Sequence, residues 1–144
     1  MEDLTAGRSS RNYAHQLAEK MNAQLTDLTV SGATLLNVLN ERQYLGRQSF
    51  EPQLAHMPSD TDIVTLTCGG NDIGYIGCLT QDSLWSYIGQ VDRLVPNKTV
   101  APFLDLHQLT SRLSVVLDKI HEIAPKAKVY LVEYLSIIGS DTRP

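Results

Sequence analysis

Much that would assign a role at a glance is missing from this chain. Two cysteines in 144 residues, Cys68 and Cys78, are too few for a disulfide framework or a metal site. They allow one short-loop bridge at most, and two free thiols are the expected state. A formal net charge of -4 lacks the strong single sign that nucleic-acid or polybasic membrane binding requires. No apolar run approaches the roughly 20 residues of a membrane-spanning helix. The opening Met1-Glu2-Asp3-Leu4-Thr5-Ala6-Gly7-Arg8 has neither the basic start nor the apolar core of a signal peptide. Internal repeats and low-complexity tracts are also missing.

What is present is an ordinary globular composition, 42% hydrophobic and 19% charged. The length suits a single domain with a real core, spanning residues 1–144. Helical and strand patterns alternate along it. Ser9-Ser10 reads as an N-cap for a helix in which Tyr13, Ala14, Leu17, Ala18 and Met21 recur at helical spacing. Leu25 to Val30 alternates like a strand and stops at Ser31-Gly32. A short helix is expected from Thr34 to Leu39, and a polar loop from Asn40 to Ser49. Pro58-Ser59-Asp60 marks a turn before a strand at Ile63 to Thr67. The stretch from Tyr75 to Gln90 reads as a helix anchored by Trp85 and Tyr87, and Val95 to Lys98 as a break. Leu106, Leu109, Leu113, Val116, Leu117, Ile120 and Ile123 share one face of a long helix that begins near Phe103. Ala124-Pro125 ends it, and Val129 to Leu135 is another strand. Strands joined by helical crossovers predict an α/β fold, a three-layer, flavodoxin-like parallel sheet flanked by helices.

Ligands in such sheets bind beyond the carboxyl ends of the strands. Two glycine turns occupy that position, Ser31-Gly32 and Gly69-Gly70-Asn71-Asp72. Glycine lets a backbone N–H approach a ligand, and asparagine adds a neutral amide donor. Two such donors converging on one point are what a developing oxyanion needs. Taken singly, Gly32 is ordinary turn chemistry, and Asp72 serves as a cap for the helix after it.

The strand-turn unit Thr65-Leu66-Thr67-Cys68-Gly69-Gly70-Asn71-Asp72 resembles the third sequence block of the SGNH (GDSL-type) esterases and lipases. Arg8-Ser9-Ser10-Arg11-Asn12-Tyr13, leading to Val30-Ser31-Gly32-Ala33-Thr34, is similar to the family's stretch between the first and second blocks. The resemblance implies that Gly32 gives a backbone N–H, and Asn71 a side-chain amide, to an oxyanion hole. It further implies hydrolysis of carboxylic esters, with lipid or carbohydrate esters as substrates, through an acyl-serine and without metal or organic cofactor. Secretion is common in the family.

Both ends of the family pattern are missing from this chain. No Gly-Asp-Ser nucleophile motif precedes the first helix, and Ser31 lacks the strand-turn-helix elbow of a nucleophile. The family's Asp-X-X-His pair follows its last core strand. Here Asp118-Lys119-Ile120-His121 has the letters, but it lies inside the long helix before that strand, where a solvated charge pair is expected. Asp105-Leu106-His107 has the wrong spacing, and His15 and His56 have no sequence partner. No nucleophile, general base, cofactor or metal ligand is assigned. The resemblance therefore implies an SGNH domain incomplete at both ends and inactive alone. Two other readings stay open: a non-catalytic remnant or pseudoenzyme acting as a binding module, and a flavodoxin-like module whose Gly-Gly-Asn-Asp turn cradles a small anion.

Overall fold

A computed structural model describes residues 5–74 and 105–134. The first helix, α1, spans Tyr13–Met21. Its cap is Asn12 rather than the expected Ser9-Ser10, because Asn12 Oδ1 accepts the His15 N–H at 3.0 Å. The helix stops at Asn22, which takes a left-handed conformation (φ 49°) and lets Ala23 N–H close on the Ala18 carbonyl at 2.9 Å.

The strand expected over Leu25 to Val30 does not form. The backbone groups a ladder would use are already engaged. Arg8 donates from Nε to the Thr29 carbonyl at 2.5 Å and from its terminal nitrogen to the Asp27 carbonyl at 2.9 Å. Asp27 Oδ1 takes both the N–H (3.0 Å) and the hydroxyl (2.7 Å) of Thr29, and Oδ2 takes the Asn12 amide at 2.9 Å. His15, for which the sequence offered no partner, lies 2.9 Å from Asn12 Oδ1 and 3.7 Å from the Asp27 carboxylate. Burial pushes the Asp27 carboxyl up, but the Thr29 and Asn12 hydrogen bonds and the Arg8 charge outweigh it and hold the group below the ordinary 3.8. The folded state then binds fewer protons than the unfolded one as pH falls through that range. This part of the stability is complete above about pH 4 and is lost as pH drops through the lower folded value. Urea unfolding of wild type between pH 5 and pH 2, compared with Asp27→Asn, should show a wild-type fall whose slope the variant lessens.

Thr34 caps α2 (Leu35–Leu39) in a reciprocal capping box with Asn37. The expected loop from Asn40 to Ser49 instead contains an antiparallel hairpin, β1 (Gln43–Leu45) with β2 (Gln48–Phe50). Leu45 faces Gln48, so Gly46 and Arg47 form a two-residue loop. Gly46 supplies the positive φ (58°) that such a turn needs at its first position. An Arg42–Glu51 ion pair closes the open end.

The centre of the fold is a parallel pair, β3 (Ile63–Leu66) beside β4 (Lys128–Leu131), joined in sequence through α3 (Leu106–Ile123). Val64 pairs with Val129 and Leu66 with Leu131. Asp105 caps α3 by accepting the Gln108 N–H at 2.7 Å, and the helix stops at Ala124 as expected. Val116 and Ile120 are fully covered and join Leu35, Val38 and Leu54 in the core, against which Val64, Leu66 and Val129 pack. Leu106, counted on the apolar face from sequence, is 74% exposed because it stands at the first turn, ahead of the core. Strand alternation turns Thr65 to the other face of the pair, where the Tyr13 hydroxyl of α1 reaches it at 3.2 Å. The segments expected from Tyr75 to Gln90 and at Val95 to Lys98 lie outside the described residues, as does Cys78. Cys68 carries a free thiol, pushed up to about 11 by burial and by the neighbouring Asp72. Among the described residues no helix is long and apolar enough to cross a membrane.

Candidate functional site

Both glycine turns leave the core next to one another. The first is closed by the Ala33 N–H on the Val30 carbonyl at 3.2 Å, which puts Gly32 third in a four-residue turn. Its φ of +78° is the left-handed conformation that this position demands of glycine. Ser31 N–H donates to the Ala6 carbonyl at 2.9 Å, and the Ser31 carbonyl accepts from Gln43 Nε2 at 2.8 Å. The turn is thus held on both sides, while Gly32 itself is exposed.

The second turn follows β3. Ile73 N–H closes on the Gly69 carbonyl at 3.2 Å and Gly74 N–H on the Asn71 carbonyl at 3.3 Å. Gly70 lies directly against Tyr134, just past β4. Its N–H donates to the Tyr134 hydroxyl at 3.2 Å, and a Cβ there would come within 2.7 Å of the ring. A larger residue there would require the Tyr134 ring or the turn to shift.

Asn71 is exposed, and its Nδ2 donates to the Ala33 carbonyl at 3.0 Å. This contact holds Asn71 against the residue that follows Gly32. A primary amide has two hydrogens. One is fixed on Ala33, which sets the plane of the group and leaves the second as a donor in a defined direction.

For Asp72, the helix it is expected to cap lies outside the described residues. The fully covered Asp72 carboxylate turns back and accepts the Leu35 N–H, in the first turn of α2, at 2.9 Å. An anion at that end of a helix meets unpaired N–H groups and the positive end of the helix dipole. The other oxygen lies 3.5 Å from the Arg112 guanidinium on α3. One carboxylate therefore ties the Gly-Gly-Asn-Asp turn to α2 and α3. Gln43, Arg112 and Tyr134 were not signalled by any motif. The Gly-X two-residue loop after Gln43 is the one local pattern that could have exposed the hairpin carrying it.

Asp118 and His121 both sit on α3 and form no pair. The His121 ring nitrogen meets the Leu117 carbonyl at 3.0 Å, and the nearby ion pair is Lys119 with Glu122. A mainly apolar pocket of about 240 Å³ opens between the ends of β3 and β4 and α3, lined by Leu66, Cys68, Leu113, Leu131 and Tyr134 among others. Among the described residues no group of three or more His, Cys, Asp or Glu is placed to hold a metal ion.

The sequence matches the GDSL-like Lipase/Acylhydrolase family over residues 2–144. The chain belongs to that family. Within the SGNH (GDSL-type) hydrolases it is 43% identical over 70 residues to Lipase 2 of Streptomyces coelicolor, a stretch that is 49% of this chain and 22% of that protein. The fold is similar to the crystal structure of phospholipase A1 from Streptomyces albidoflavus, with a TM-score of 0.59 and 21% identity, over 96% of this chain and 54% of that one. The chain thus spans about half the length of that phospholipase.

Proposed function

We propose that this chain forms the oxyanion-binding part of a serine ester hydrolase. The observation that carries the reading is the 3.0 Å contact of Asn71 Nδ2 with the Ala33 carbonyl, which draws a side-chain amide to the turn of Gly32. In the proposed reaction a serine attacks the ester carbonyl, and a histidine oriented by an aspartate takes its proton. Negative charge then develops on the carbonyl oxygen, where the Gly32 N–H and the second Asn71 amide hydrogen stabilise it. Neither the serine nor the Asp–His pair is assigned within residues 1–144. The complete fold in this reading is a three-layer, flavodoxin-like sheet, supported by the contacts of α3 and α1 with opposite faces of the β3–β4 pair. Lipid or carbohydrate esters are the proposed substrates, and an extracellular location is proposed on the family resemblance.

Two measurements test the reading together. The purified 144-residue chain should hydrolyse p-nitrophenyl esters no faster than buffer, and an inhibitor that labels reactive serines should leave its mass unchanged. The coding sequence on either side should supply an in-frame Gly-Asp-Ser before the segment and Asp-X-X-His after it. Serine-dependent turnover by the chain itself, or unrelated sequence on both sides, would overturn the proposal.

A further inference from the structure

The Gly32 N–H and the Ser31 carbonyl belong to the same peptide group. No peptide bond among the described residues is cis, so in this planar trans unit the N–H points opposite to the C=O. Whatever holds the Ser31 carbonyl therefore aims the Gly32 N–H. That partner is Gln43, whose Nε2 donates to the carbonyl at 2.8 Å. A Cβ on Gly32 would lie 3.8 Å from the same nitrogen, which places the Gln43 amide beside Gly32 itself.

The hairpin bearing Gln43 contributes almost nothing else to the interior. Of the six residues in β1 and β2, Gln43 alone is buried, at 8% exposure, whereas Tyr44 next to it is 70% exposed. Packing alone does not call for an amide at this position, because the Gln43 Oε1 is buried with no hydrogen-bond partner among the described residues, which is a cost to stability. A donor at the end of a three-carbon reach is specific to the task of gripping a carbonyl. Glutamate would set one acceptor against another, and methionine would fill the space without a hydrogen to give.

We propose that Gln43 is a positioning residue for the reaction, one that fixes the Ser31–Gly32 peptide so that the Gly32 N–H is aimed before substrate arrives. The inference rests on the reading of Gly32 and Asn71 as the oxyanion donors. Its physical value follows from that role, because a donor already aimed costs no reorganisation when charge develops. The peptide is held by a side chain from outside its own turn, so the grip can be removed without touching either donor.

Nuclear magnetic resonance on the isotope-labelled 144-residue chain tests this directly. In wild type, the Gln43 side-chain amide protons should be dispersed and slow to exchange. In Gln43→Met, the Ser31 carbonyl-carbon and Gly32 amide-nitrogen resonances should move, while the amide protection of Val116 and Ile120 stays as in wild type. In a complete hydrolase containing this chain, the same substitution should lower kcat roughly tenfold at unchanged KM, less than the hundred- to thousandfold loss of deleting a donor. Unmoved Ser31 and Gly32 resonances would overturn the proposal. So would a Gln43 amide that exchanges like a solvent-exposed one in wild type, a measurement that decides the matter even if the variant fails to fold. If Gln43→Met moves Gly32 but Asn71→Ala leaves turnover intact, the positioning of the peptide stands and the oxyanion reading falls.

Discussion

Asn71→Ala in a complete hydrolase containing this chain should lower kcat by about a hundred- to a thousandfold, the usual loss when one oxyanion donor is removed. On the proposed reading KM should change little, because the amide would act on charge that exists only in the transition state. Asn71 is exposed and outside the core, so the protein should remain folded. The substitution also removes the hydrogen bond to Ala33, worth about 1 kcal/mol of stability. Asn71→Asp is the sharper comparison. It keeps the shape, but a carboxylate has no hydrogen to offer the Ala33 carbonyl and places negative charge beside a developing oxyanion. Its loss of kcat should equal or exceed that of the alanine. Steady-state hydrolysis of a p-nitrophenyl ester, with far-UV circular dichroism as the control for folding, reads both variants. Turnover near wild type in either would remove Asn71 from the oxyanion site.

The parts legible in the sequence were those in which one local pattern decides the outcome. The apolar face of α3 runs from Leu109 to Ile123 at helical spacing, and the core at Val116 and Ile120 follows from it. The Gly-Gly pair after Ile63 to Leu66 reads as a turn at a strand end, and the backbone turns there. Parallel pairing of β3 with β4 followed from a helix lying between two strands. The misreadings occur where distant residues compete for the same backbone groups. Leu25 to Val30 alternates as a strand should, but Arg8 takes the Asp27 and Thr29 carbonyls from a position that periodicity cannot see. Gln43 to Phe50 is too polar to read as a strand pair, because all of it but Gln43 faces outward or lies part-buried. The two turns were visible separately. Their nearness was implied only by the family resemblance and by no local pattern, since it depends on Asn71 reaching Ala33 and on Asp72 reaching Leu35, both between segments far apart in the chain.

The bond from Asp72 to Leu35 carries the largest expected effect on stability. Asp72→Ala should destabilise the chain by about 2–3 kcal/mol, as it removes a charge-assisted hydrogen bond and the anion at the start of α2 together. The Leu35 N–H would be left buried without an acceptor, and Arg112 would lose its partner. Asp72→Asn still offers an oxygen to Leu35 but meets Arg112 with no charge, so about 1 kcal/mol is expected. Arg112→Met should also be costly, although Arg112 is 37% exposed, because it leaves the fully covered Asp72 carboxylate without its cation. The two substitutions remove the same interaction, and the double variant Asp72→Ala, Arg112→Met should therefore cost less than the sum of its parts. Urea unfolding of the four variants and wild type gives the cycle. Additive losses would mean that the 3.5 Å approach of Arg112 is incidental and that Asp72 acts through Leu35 alone. The coupling matters for the site because the residue before Asp72 is Asn71. A carboxylate pinned between α2 and α3 fixes the backbone from which the Asn71 amide projects, and the same α2 begins just after the Gly32 turn. Losing Asp72 should thus loosen the turn that carries Asn71, whereas losing Gln43 disturbs the peptide of Gly32.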